Sequence, residues 1–147
     1  MYAGIEATLQ RNTSYICALA LSVYTEILGG LVTGNLKKEN NSKGNYIAFL
    51  EYLGEPYVEL HKQVNLYKRI RSGLVHEFAP KKQYIIWLSE TVQDRPGLDC
   101  PGNVVNFHLR EYYRDFRNGV EKYYRKLKDG QHADLIHNFL NVTKLEI

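Results

Sequence analysis

Apolar residues at Leu60, Val64, Tyr67, Ile70, Leu74 and Phe78 recur in steps of four, three, three, four and four. At about 3.6 residues per turn only an α-helix gathers such a spacing onto one face. One amphipathic helix is therefore expected from Tyr57 to Phe78, with Pro80 as its latest end. This stretch also carries Arg71, Gly73 and His76 within "RIRSGLVHEF". A helix that only packs needs none of the three.

Helical spacing continues on both sides. Ile5, Leu9, Ile16, Ala20, Val23, Ile27 and Leu31 predict a first long helix over about Tyr2 to Val32, ended by the turn-rich, charged loop "TGNLKKENNSKGN" at 33–45. A short helix fits "YIAFLEYLG", stopped by Gly54 and Pro56. After Pro80 the character changes. "QYIIWLSETV" and "VVNFHL" read as strands on either side of "QDRPGLDCPGN", so a β-hairpin with a long tip is expected over about 83–109. Leu109, Tyr112, Tyr113, Phe116, Val120, Tyr123, Tyr124 and Leu127 form the stripe of the next helix, ended by Gly130, and a last short helix surrounds Leu135, Phe139 and Val142. The expectation is a single, mainly α domain over 1–147: an up-and-down bundle of about five helices with one hairpin insertion.

A chain of 147 residues suits one core. Twelve tyrosines against five phenylalanines point to positions half inside a core or an interface. Cys17 and Cys100 are read as two reduced thiols, which places the protein in the cytoplasm and removes weight from the sequons at Asn12, Asn40 and Asn141. Residues 15–32, "YICALALSVYTEILGGLV", reach the lower length of a membrane span, but Ser22, Thr25, Glu26 and Gly29-Gly30 interrupt them. The segment also starts too late, and without a cationic leader, for a signal peptide; a core helix is expected and no membrane partner.

The formal net charge of +3 is unevenly placed. Lys62, Lys68, Arg69, Arg71, Lys81 and Lys82 face a single acid, Glu77, between 62 and 82. The bland reading is a solvated helix face; the sharper one is a surface for a polyanion. Phosphate-loop glycines, HExxH, paired CxxC and G-x-S-x-G are all absent, and His132 and His137 lie about 140° apart on a helix, so no metal, no cofactor and no serine or cysteine nucleophile is expected. His61, in register with the core stripe, is read as structural.

Arg71 and His76 suit phosphodiester chemistry: histidine exchanges a proton near neutral pH, and arginine binds phosphate oxygens bidentately. On a regular helix they project about 140° apart. Loosening of the helix end, a curled arginine, or two copies facing each other across a two-fold axis would bring them together. In the last case Gly73 is the dimer contact, letting paired helices approach closely. The competing reading is two cations near a helix C-terminus, where the dipole favours them.

The string "LYKRIRSGLVHEFAP", with its R-x4-H spacing after a long helix and a turn-rich loop, resembles the HEPN domain family. The resemblance implies a helical homodimer and, in active members, metal-independent cleavage of single-stranded RNA at a composite cleft. It assigns Arg71 and His76 as catalytic, with Ser72 as helper where members often carry Asn, Asp or His. Lys68, Arg69, Lys81 and Lys82 are expected to hold the RNA backbone. The hairpin is no part of the minimal family plan. The alternative is a non-catalytic HEPN-like module that binds nucleotide, RNA or a protein partner such as a nucleotidyltransferase or an antitoxin.

Overall fold

A computed structural model describes residues 1–11, 13–76 and 83–144. Its described residues form a mainly helical fold with one small sheet. The helices are α1 (Tyr2–Gln10), α2 (Ser14–Thr33), α3 (Ser42–Leu53), α4 (Glu55–Val64), a π-helical segment (Tyr67–Ser72) running into α5 (Gly73–His76), α6 (Leu109–Lys128) and α7 (Ala133–Thr143). Strands β1 (Tyr84–Trp87), β2 (Leu98–Asp99) and β3 (Val105–His108) lie between α5 and α6.

The expected first helix is two. "RNTS" interrupts its apolar stripe, and such residues compete for backbone groups better than they propagate a helix. Thr13 donates both its amide (3.2 Å) and its hydroxyl (3.0 Å) to the carbonyl of Thr8, closing α1 with a wide turn. By length and composition α2 is the one described helix apolar enough to cross a membrane. Here Cys17, Ala18, Leu21 and Thr25 are buried, and α1, α3, α6 and α7 all pack on it.

The α2–α3 contact is a backbone contact. A Cβ at Gly29 would stand 1.6 Å from the Asn45 carbonyl oxygen, so only glycine admits the crossing. Asn45 is buried there; its side-chain oxygen accepts from the Thr33 hydroxyl at 2.9 Å and its amide donates to the Asn35 carbonyl at 3.4 Å. Lys43, expected in a loop, is in the first turn of α3.

The expected helix from Tyr57 to Phe78 also breaks. Asn65 adopts a left-handed conformation (φ 49°) after α4, a conformation asparagine tolerates better than most residues. The chain restarts as a π-helix, and Leu66, Ile70 and Leu74 become the fully buried positions while Val64 and Tyr67 stay half-buried. Phe78 lies outside the described residues.

The hairpin expectation is overturned. β1 runs parallel to β3, Tyr84 opposite Val105 and Trp87 opposite His108, and β2 pairs antiparallel on the other side of β3, giving the order β1-β3-β2. The supposed hairpin tip is a crossover. Its organiser is Glu111 at the start of α6, 1% exposed, whose Oε1 accepts the Val92 amide (3.0 Å) and Arg95 Nε (3.0 Å). Arg114 donates to the carbonyls of Arg95 (2.7 Å) and Val92 (3.4 Å), and the Tyr57 hydroxyl accepts the Gly97 amide at 2.7 Å. A crossover so tied returns the chain in the same direction it left, which no tight turn can do.

Several of the tyrosines lie deeper than expected. Tyr46, Tyr57 and Tyr112 are fully buried beside Phe49, Phe107 and Phe116. The Tyr57 hydroxyl donates to Asp115 Oδ2 (2.5 Å), and the hydroxyls of Tyr112 and Thr25 are 2.8 Å apart. Burial pushes the Tyr112 phenol up to about 12, so it stays protonated and able to donate. Cys17 and Cys100 are not bonded to each other.

Two alanine substitutions separate these roles of glycine. Gly29→Ala forces α2 from α3 and is expected to lose about 3 kcal/mol or more in urea unfolding. Gly44→Ala, on the exposed side of α3 with nothing within 4 Å of the added carbon, is expected to gain about 0.5–1 kcal/mol.

Candidate functional site: a basic cleft beside the π-helical segment

The residues singled out from sequence fall on different sides of the π-helical segment. Arg71 turns to α2, where its Nε donates to Glu26 Oε2 at 2.5 Å; both side chains are 16% exposed. Ser72 is half-buried and Gly73 buried. The space left by the missing side chain at Gly73 faces the Tyr84 ring of the same chain, 3.4 Å from where a Cβ would lie. His76 ends α5 and is exposed, next to exposed Val75. The Tyr15 hydroxyl donates to the carbonyl of Leu74 just before them. Among the described residues no hydrogen bond or ion pair joins Arg71 to His76.

Lys68 and Arg69 point elsewhere. With Lys43, His61, Lys62 and Asn103 they line a cleft of about 700 Å3, and no carboxylate is among its described lining residues. Lys81 and Lys82 lie outside the described residues. The cleft is built from five parts of the chain: the first turn of α3, the last turn of α4, the π-helical segment, Gln83 just before β1, and the turn before β3. Arg69 Nη1 donates to the Asn103 carbonyl at 2.7 Å and so fastens the segment to that turn. Lys62 reaches Glu59 at 2.6 Å on the exposed face of α4. Lys43 and Lys68 form no ion pair among the described residues.

His61 does more than pack. Its Nδ1 accepts the Leu66 amide at 3.1 Å, and Asn65 Oδ1 accepts the Lys68 amide at 3.3 Å, so two side chains satisfy backbone groups that the helix break exposes. With Nδ1 an acceptor, the ring proton resides on Nε2. Burial, and secondarily Lys43, holds the imidazole below the ordinary histidine value. The site is therefore cationic through its lysines and arginine, with a neutral imidazole among them.

Lys43 and His61 were missed as site residues in the sequence, for different reasons. Lys43 sits in a stretch that looks like a loop by composition. His61, Asn65 and Lys68/Arg69 are four and then three or four residues apart, a polar stripe on one helical face that the apolar stripe beside it obscured.

A second cavity, of about 430 Å3, lies between α1 and α6 and is lined by Tyr2, Arg110, Tyr113, Arg114 and Arg117. Two of its three arginines are engaged: Arg117 lies over the rings of Tyr2 (5.3 Å) and Tyr113 (5.8 Å), and Arg114 is held by Asp115 and two carbonyls.

Comparison of the chain with family models, with curated proteins and with solved structures finds no match in any of the three.

Two measurements check this geometry. Unfolded, His61 takes up its proton near pH 6.5; folded, it does so only at lower pH, so its contribution to stability is complete above about pH 6.5 and declines as the pH falls. His61→Gln is expected to flatten that decline, and the imidazole of the wild type to titrate below pH 6.5 by NMR. Glu26→Gln leaves the Arg71 charge without its partner in a largely buried place and is expected to destabilise the fold by about 1–3 kcal/mol.

Proposed function

We propose that the protein is a HEPN-like helical domain that binds single-stranded RNA through its phosphates, on the basic surface that Lys68 and Arg69 share with Lys43 and Lys62. The observation that carries this reading is the convergence on one cleft of Lys43, Lys68 and Arg69, none of them paired with a carboxylate among the described residues, beside Lys62, which Glu59 partly compensates; the described lining residues themselves include no carboxylate. Carboxylates usually accompany cations on a merely solvated face; a one-signed concave surface focuses potential and draws anions. Arginine held by Asn103 offers its remaining guanidinium hydrogens in a fixed plane, and exposed lysines supply charge without fixed geometry.

A second reading, cleavage of the bound strand, is favoured by the exposure of His76 at the end of α5. In that reading the His76 imidazole takes the 2'-hydroxyl proton as the oxygen attacks the adjacent phosphorus. The bond to the 5'-oxygen then breaks, and a proton from His76 of a second copy reaches that leaving oxygen. Arg71 stabilises the charge on the phosphorus centre with the guanidinium nitrogens that Glu26 leaves unbound, and Ser72 donates a hydrogen bond. A two-fold dimer supplies both histidines. The non-catalytic module, acting beside a nucleotidyltransferase or an antitoxin, keeps the binding surface without the chemistry.

Binding of a labelled single-stranded RNA is expected to weaken linearly with log salt, and Lys68→Ala to reduce the slope by about 0.7, the value for one phosphate on a single strand. A slope unaffected by Lys68→Ala removes the surface from the reading. Incubation with RNA in EDTA addresses the chemistry: cleavage lost in both Arg71→Ala and His76→Ala supports the second reading, and intact RNA with the wild type discards it.

A further inference from the structure

We infer that the basic cleft recognises a terminal phosphomonoester, at the end of an RNA strand or on a free mononucleotide, in preference to the phosphodiesters inside a strand; this rests on that part of the proposed reading in which the cleft binds phosphate. Three features of the cleft lead there.

The first is its capacity. About 700 Å3 is within the roughly 300–1,000 Å3 of small-molecule sites. It admits a nucleotide or so, and Lys43, Lys68 and Arg69 serve that one occupant instead of tracking a strand. The second is charge. An internal phosphodiester brings one negative charge for each nucleotide, while a terminal phosphate carries about −1.5 to −2 at pH 7 and presents three acceptor oxygens. Lys43 and Lys68, without ion-pair partners among the described residues, match the doubled charge. Arg69, anchored at Nη1 by Asn103, adds directed donors. One cation suffices for a phosphodiester; several converging on one place favour the more highly charged group.

The third is His61. Its Nδ1 is engaged by the Leu66 amide, so the atom left to meet a ligand is Nε2, carrying a proton. A neutral N–H in a cleft of cations gives a phosphate oxygen a hydrogen bond without adding to the mutual repulsion of the lysines. The same tautomer makes His61 a binding group and not a proton acceptor: Nε2 is already protonated, and Nδ1 faces an N–H.

The test uses fluorescence anisotropy with one RNA decamer in three forms, 5'-phosphorylated, 3'-phosphorylated and hydroxyl-ended, with AMP and adenosine as competitors. A phosphorylated form is expected to bind at least tenfold more tightly than the hydroxyl-ended one. The double variant Lys43→Ala/Lys68→Ala, at exposed positions and checked for an unchanged melting temperature, is expected to remove that preference. His61→Ala is expected to reduce it more than His61→Gln, which keeps a side-chain N–H. Displacement by AMP but not adenosine assigns the phosphate to a free nucleotide, and resistance to AMP assigns it to a strand end. Equal affinity for all three decamers overturns the inference while RNA binding stands, as does a preference that survives in the double variant. If no decamer binds and AMP does, the RNA reading falls and the phosphomonoester site stands; if nothing binds, both fall.

Discussion

The helix break at Asn65 governs how this chain presents its polar residues. A continuous helix would have carried Lys68 and Arg69 onward in the register of α4, with no corner for a cleft. The left-handed residue reorients the chain, and the amides it exposes need acceptors. His61 and Asn65 supply them from the same segment, at 3.1 and 3.3 Å. Satisfying the backbone fixes the histidine's tautomer as well, so one local requirement of folding determines what the imidazole can offer a ligand. Structure and site are here the same set of hydrogen bonds.

The wide turn that follows distributes neighbouring residues among different tasks. Lys68 and Arg69 line the cleft, Ile70 is fully buried, and Arg71 pairs with Glu26 on α2. π-helical turns often coincide with functional positions, and this one separates two kinds of cation. Arg71 is largely buried with a carboxylate at contact distance, so its charge is mostly compensated within the fold. Lys43 and Lys68 of the cleft are exposed, form no ion pair among the described residues and keep their field. In the proposed reading, phosphate binding therefore draws more on residues 43, 68 and 69 than on the arginine that the motif emphasises.

The helical character of the chain was legible because apolar residues at threes and fours share one face only when the backbone is helical: α6 lies where its tyrosine and leucine stripe puts it, and α7 surrounds Leu135 and Phe139. The breaks were less legible. Leu9 and Ile16, and likewise Leu60 and Ile70, keep a helical spacing across interruptions whose cause is local polar capping, which apolar periodicity does not register. Short apolar runs separated by Pro-Gly turns suggest a hairpin, while the crossover that permits the parallel pairing is held by Tyr57 on α4 and by Glu111 and Arg114 on the following helix, distant groups that local pattern does not register. Of the site, Lys68 and Arg69 were legible as charge. The cleft needed His61 as well, on a polar stripe that the apolar one obscured, and Lys43 and Asn103, from segments related to it only through the tertiary fold.

That dependence reaches further than the cleft's own lining. Asn103 holds Arg69 from the turn preceding β3, and β3 is placed between β1 and β2 by the crossover that Glu111 secures. Burial alone would push the Glu111 carboxyl up; the Val92 amide and the Arg95 guanidinium outweigh it and hold it below the usual glutamate value. This stabilisation is therefore complete above the ordinary glutamate range and is lost as pH falls through the depressed folded value. Gly97 adds a steric condition, since a Cβ there would lie 2.3 Å from the Tyr112 Cα, so the crossover seats on α6 only without a side chain. A carboxylate and a glycine that line no part of the cleft thus set the position of its far wall. The orientation of Arg69 is then a property of the sheet as much as of the helix that carries it.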